Sequence, residues 1–322
     1  MPELRSKVTG AVLGCAVGDA MGAPFEGLWG DSIPTRDSLL DDYHLYDGYP
    51  SGQFTDDTQL TVATVESIVR LQGIDLYDIA TRIAQLWHNH AVIGPGGACT
   101  HAAETFLITA DWSTMGAPIG QAGNGTAMRT AVLGLWYRDR PEALAEEVAD
   151  ISRLTHQDPR SVAGGVAIAE AARLLSDDQF VFEPTSFCEA ISARCWEIEK
   201  GFAQQIRDLS LIAESHDAVQ QIAFAGQSNP EFDRPIITPY VVPTVLASLY
   251  CVIKHPDSWS DAVTTAIRLG GDVDTLGAII GALSGARLGE EAIPKHLLAN
   301  VQRSKALRLL AAKYHAAIAN SA

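Results

Sequence analysis

The chain has 322 residues, 47% of them hydrophobic, which is enough to bury a substantial core. Its formal charge of −16 argues against nonspecific nucleic-acid binding, which needs a basic surface. Five scattered cysteines with no Cys-x-x-Cys spacing argue against a disulfide framework and for reduced thiols in a cytoplasmic protein.

Helical signals dominate in chain order. Charges at Glu3, Arg5 and Lys7 lead into an apolar run over 8–21 that contains Asp19, which is a poor match to a signal peptide. Gly14, Gly18 and Gly22 recur every four residues there, so one helix face is nearly bare. Glycine inside a helix costs about 1 kcal/mol against alanine, so such a stripe implies close backbone approach. Residues 27–53 form an aromatic, turn-rich excursion, long enough for a lid or binding loop. A helix is predicted over 59–71, stopping near Gly73, and another is capped by Asp75.

Gly94 to Gly97 and Gly116 to Gly125 read as loops, the second opening a helix with Met128, Leu133 and Leu135. Pro141 fits the first turn of the next helix, and Asp158-Pro159 forms an N-cap and N1 pair for 160–175. Further helices are expected near 184–200, 202–224, 240–254, 258–269 and 302–319. A second stripe, Gly277, Gly281 and Gly285, falls on a helix over 276–288 that is too short to span a bilayer. Pairing of the two stripes would bring Asp19 and Glu26 towards Asp272 and Asp274. The expected fold is a single compact all-α domain over 1–322, with orthogonal helices.

Two short motifs carry the chemistry. Thr55-Asp56-Asp57-Thr58 and Gly271-Asp272-Val273-Asp274-Thr275 each stand at a predicted helix entrance. Asp and Thr are preferred N-caps, but one cap needs one such side chain rather than two carboxylates. Four short acids and three threonines make an oxygen-only ligand set suited to Mg²⁺ or Mn²⁺ rather than zinc. His88 and His90, although two apart, point away from each other on a helix end and read as solvated. Cys188, Cys195, Trp87, Trp136 and Trp196 read as structural residues. The composite reading is a metal-assisted hydrolase.

In the same order along the chain stand Gly18-Asp19-Ala20-Met21-Gly22-Ala23-Pro24-Phe25-Glu26, Thr55-Asp56-Asp57-Thr58, Gly123-Asn124-Gly125-Thr126-Ala127-Met128-Arg129, Leu154-Thr155-His156 and Gly271-Asp272-Val273-Asp274-Thr275. This set resembles the ADP-ribosylglycohydrolase family nearly end to end. The resemblance implies an orthogonal all-α fold, two Mg²⁺ or Mn²⁺ ions, and hydrolysis of the bond from ADP-ribose to an acceptor, on a protein or a small conjugate. It implies Thr55, Asp56, Asp57, Asp272, Asp274 and Thr275 as metal ligands, and catalytic roles for Glu26, Asp57 and Asp274. Gly120, Gln121, Gly123, Asn124 and Gly125 would cradle phosphate, and His156 would contact the nucleotide. Gln121 and Ala122 depart from the aromatic or hydroxyl residue common in that cradle. Arginine is the first acceptor expected by analogy. Serine, O-acetyl-ADP-ribose and poly-ADP-ribose linkages remain open. A non-catalytic ADP-ribose reader or structural relative and a metal-dependent phosphohydrolase also remain open.

Overall fold

The computed structural model describes residues 2–46, 48–227 and 234–321. Regular structure among them is helical, with β-type pairing limited to three isolated bridges. The organising contact is between α1 (Leu4–Gly22) and α14 (Val273–Leu288), which run antiparallel with their glycine faces together. A Cβ on Gly18 would lie 2.0 Å from the Gly277 carbonyl oxygen, and one on Gly14 would lie 2.2 Å from that of Gly281. Gly10 and Gly285 continue the same ladder. Real Cβ atoms cannot approach so closely, so alanine at these positions would force the helices apart.

The register of this ladder has a consequence for the site. Gly22, at the end of α1, lies against Val273 and Asp274 at the start of α14. Glu26 follows four residues later, so the crossing delivers it beside Asp272 and Asp274. In α1 nearly every residue from Lys7 to Gly22 is buried, apolar on all sides. Its length and composition meet the test for a membrane span, but that surface is covered by α14 and neighbouring helices, as a core helix requires.

The remaining helices wrap this pair. α2 (Arg36–Asp41) lies within the aromatic excursion, followed by α3 (Asp56–Leu71), α4 (Leu76–His88) and α5 (Gly97–Thr109). α6 (Ala127–Trp136), α7 (Pro141–Arg153) and α8 (Pro159–Ser176) form a second packed group. α9 (Pro184–Cys195), α10 (Lys200–Ile212), α11 (Ala218–Ala223), α12 (Val241–Lys254) and α13 (Trp259–Ile267) follow. α15 (Lys295–Asn300) and α16 (Ser304–Ser321) close the chain. Asp75 and Asp158 cap α4 and α8 as their sequence positions imply.

Three expectations are corrected. The helix expected near 202–224 is two, α10 and α11, separated by a turn that contains Ser215 and His216. Residues 97–109, beyond a Gly-Pro-Gly-Gly loop, form the unanticipated α5. Gly73 does not stop α3; Gln72, in a left-handed conformation, donates its amide to the Ile68 carbonyl. Trp136, Cys188 and Cys195 are buried, whereas Trp196 lies at the surface. His88 and His90 are exposed.

Candidate metal centre and nucleotide cleft

The first turns of α3 and α14 face a common cavity of about 160 Å³. Glu26, Asp56, Asp57, Asp272, Asp274 and Thr275 line it, together with Gly123, Asn124, Gly125 and His156. One oxygen each from Glu26, Asp272 and Asp274 lies within 4.8 Å of the others, the separation that a shared cation requires. Asp56 and Asp57 enter the same cavity from α3. Five carboxylates therefore share one space, and no lysine or arginine lines it among the described residues.

Loops that hold these groups are stitched backbone to backbone. Gly27 and Leu28 exchange hydrogen bonds with Gly271, and Asp272 donates its amide to the Ile237 carbonyl. Gly271 has φ of +91°, and a Cβ there would sit 2.0 Å from the Ile237 oxygen, so the position needs glycine. Asn124 donates its backbone amide to Pro239, and Val241 donates to Ala122. Ala117 in turn pairs with Thr155 and Gln157. The three isolated bridges thus tie Gly123, His156 and Gly271 into one rim.

Electrostatics make the cavity unfavourable when empty of cations. Burial pushes the carboxyls of Asp56, Asp57 and Asp274 well above the usual carboxylate range, and neighbouring carboxylates add to it. Glu26, exposed at the rim, is raised for the same two reasons, the second being Asp272. Asp57 Oδ1 is buried without a hydrogen-bond partner among the described residues. A buried unsatisfied carboxylate oxygen is costly, and a cation is the group that would satisfy it. The hard-oxygen donors of this cavity therefore fit Mg²⁺ or Mn²⁺.

The predicted phosphate loop divides in two. Gly123, Asn124 and Gly125 line the cavity, whereas Gly120 and Gln121 are exposed outside it. The Gly120 amide is already donated to Asp158 Oδ2 at 2.9 Å. Asn124 donates its side-chain amide to Asp272 Oδ2 at 2.5 Å and to Thr244 Oγ1 at 3.1 Å. Its side chain thereby orients a carboxylate of the cluster. Thr244 is not distinguished by the sequence, because it lies in the first turn of an ordinary apolar helix.

His156 is buried, and its pKa is lowered to about 3, chiefly by burial and then by nearby Arg129, so the ring is neutral at physiological pH. A Cβ on Gly123 would lie 3.0 Å from His156 Nε2, and one on Gly125 2.9 Å from Cε1. Both glycines make room for the imidazole at the cavity wall. The ring's Nδ1 lies 2.9 Å from Thr155 Oγ1, which also accepts from Arg129 Nη2 at 2.8 Å. Cys99 completes this wall; burial raises its thiol to about 12, so it is not a nucleophile at neutral pH.

A family model described as ADP-ribosylglycohydrolase matches residues 1–322. The ADP-ribosylhydrolase ARH3 of Gallus gallus is 26% identical over 90% of this chain and 87% of its own. The ADP-ribosylarginine hydrolase Tri1 of Serratia proteamaculans is 26% identical over 97% of this chain and 80% of its own. A solved structure, titled ADP-ribosylglycohydrolase-related protein complex, superimposes with a TM-score of 0.73. It is 26% identical, covering 98% of this chain and 99% of that one.

Proposed function

The chain belongs to the ADP-ribosylglycohydrolase family, and from that premise we propose that it uses two divalent cations to cleave ADP-ribose from arginine side chains. The observation that carries the metal reading is the set of five carboxylates around one small cavity, including a buried Asp57 oxygen with no other partner. Two divalent ions would nearly neutralise that set. Thr55, Asp56, Asp57, Asp272, Asp274 and Thr275 would hold them, with Glu26 at the rim. Bound there, the ions would supply Lewis-acid stabilisation to the ribose hydroxyls and to a nucleophilic water.

The chain's own residues then act on either side of the bond to be broken. Asn124 fixes the Asp272 carboxylate through a direct hydrogen bond. Glu26, whose proton affinity is raised and which is open to solvent, takes a proton from the attacking water. The water oxygen bonds to ribose C1″ as the bond from C1″ to the acceptor nitrogen breaks, its electron pair leaving on nitrogen; the nitrogen takes up the proton that Glu26 removed, and ADP-ribose and the free arginine side chain depart. A cavity of about 160 Å³ is smaller than the roughly 300 Å³ lower bound for a drug-sized ligand. It would take the ribose, with the remaining nucleotide lying over Gly123, Gly125 and the neutral His156.

Arginine as the acceptor rests on similarity to Tri1, and the similarity to ARH3 is of equal identity. The test is a panel of arginine-, serine- and O-acetyl-linked ADP-ribose with Mg²⁺. Free ADP-ribose from the arginine conjugate, at least about tenfold faster than from the others, is the expected product pattern. Faster release from serine would reassign the acceptor. Inorganic phosphate or AMP as product would instead favour a phosphohydrolase.

A further inference from the structure

We propose that Asp19 is a positioning residue, holding the first turn of α3 from outside so that Asp56 and Asp57 present bare oxygens to the cavity. The inference rests on the two-cation reading above. Although α3 begins at the Thr55-Asp56-Asp57-Thr58 motif, no residue of its own caps it: Thr55, at the N-cap position, makes no side-chain cap bond. The cap comes from α1. Asp19 is fully buried, and its Oδ1 accepts from the Thr55 amide at 2.9 Å and the Thr55 hydroxyl at 3.0 Å. Its Oδ2 accepts from the Thr58 amide at 3.0 Å and the Thr58 hydroxyl at 2.6 Å, and shares the Thr55 amide at 3.1 Å. All four partner groups can donate, as an ionised carboxylate requires, and two amides of the helix start are satisfied.

The hydroxyl of Thr55 shows why this matters for ligation. It has one hydrogen and two acceptors, Asp19 Oδ1 at 3.0 Å and Asp57 Oδ2 at 3.2 Å. Donation to Asp19 leaves the Thr55 lone pairs free and spares Asp57 Oδ2 this hydrogen. Asp19 also follows Gly18, which is locked against Gly277. One side chain therefore joins the crossing that sets Glu26, Asp272 and Asp274 to the helix start that sets Asp56 and Asp57.

The test is Mn²⁺ binding by the purified full chain, followed through the electron paramagnetic resonance signal of free Mn²⁺. Asp19→Asn turns an N–H group towards the threonine donors and is expected to bind Mn²⁺ about 10- to 100-fold more weakly, the range for residues that orient metal ligands. Thr58→Val removes one donor and should weaken binding about fivefold, whereas Thr58→Ser keeps the hydroxyl and should retain wild-type affinity. A purely structural role would lower the melting temperature and leave the Mn²⁺ affinity of the folded protein unchanged. Affinity within about twofold of wild type in Asp19→Asn, or in Thr58→Val should the first variant not fold, overturns the proposal. Wild-type protein that binds no Mn²⁺ overturns the two-cation reading and this inference together. Wild-type binding with unchanged variants overturns the inference alone.

Discussion

Asp274→Asn is expected to cut turnover by about 10²- to 10³-fold and to raise the melting temperature of the metal-free protein. The two effects share a cause. Asp274 is buried in the first turn of α14, facing Asp272, Asp57 and Glu26, and burial with this company pushes its carboxyl well above the ordinary range. Ionising it costs folding free energy that only a bound cation returns. Asparagine has the same shape and can still accept from the Thr275 amide, the 2.9 Å bond that Asp274 Oδ1 makes now. It removes a charge without opening a cavity. A gain of about 1–2 °C per kcal/mol without metal is the scale for a chain of 322 residues. Adding Mg²⁺ should then stabilise the wild type far more than the variant. Wild-type activity in the variant, or a lower melting temperature without metal, would contradict the reading.

The melting temperature of metal-free protein should fall as pH rises, and Mg²⁺ should remove that dependence. Asp56, Asp57 and Asp274 all have folded-state pKa values well above 3.8, and Asp19 is raised to about 6, chiefly by burial. A carboxyl raised on folding binds its proton more tightly in the native state. Its stabilising contribution is therefore complete below about pH 4 and is lost as pH climbs through the folded value. His156 works in the opposite sense: lowered to about 3, it contributes stability above its unfolded value near 6.5 that is lost as pH falls. The raised carboxyls outnumber the one imidazole, whose contribution is complete above about pH 6.5, so the net slope there is downward. Saturating Mg²⁺ replaces the protons; at 100 times its dissociation constant one bound ion adds about 2.7 kcal/mol. Thermal melts at pH 5.5, 7 and 8.5, with Mg²⁺ and with chelator, measure this directly. A flat metal-free profile, or equal slopes with and without Mg²⁺, would count against the cation site.

What was legible in the sequence is what local spacing encodes. Glycines four apart on two distant helices anticipated the α1–α14 ladder, because only close backbone approach makes bare helix faces tolerable. Paired acids at two helix starts anticipated carboxylates on one cavity, because a helix N-terminus fixes where first-turn side chains point. Other features depend on partners far apart in the chain. The direct partners of Asp19, Thr55 and Thr58, are among these. Nothing local distinguishes Thr244 as the residue that holds Asn124, or Asp158 as the acceptor that occupies the Gly120 amide. α5 escaped notice because glycines precede it and its apolar residues face both ways: Phe106 is buried while Leu107 and Ile108 are exposed. The break between α10 and α11 lies in a short polar turn that helical periodicity alone bridges.

The most direct test of the whole account is calorimetric titration of ADP-ribose into the purified protein, with Mg²⁺ present and again after chelation. Binding with Mg²⁺ that disappears on chelation is the expected result, because cations on Asp56, Asp57, Asp272 and Asp274 would hold the ribose. Binding that survives chelation unchanged, or no binding in either state, would contradict it.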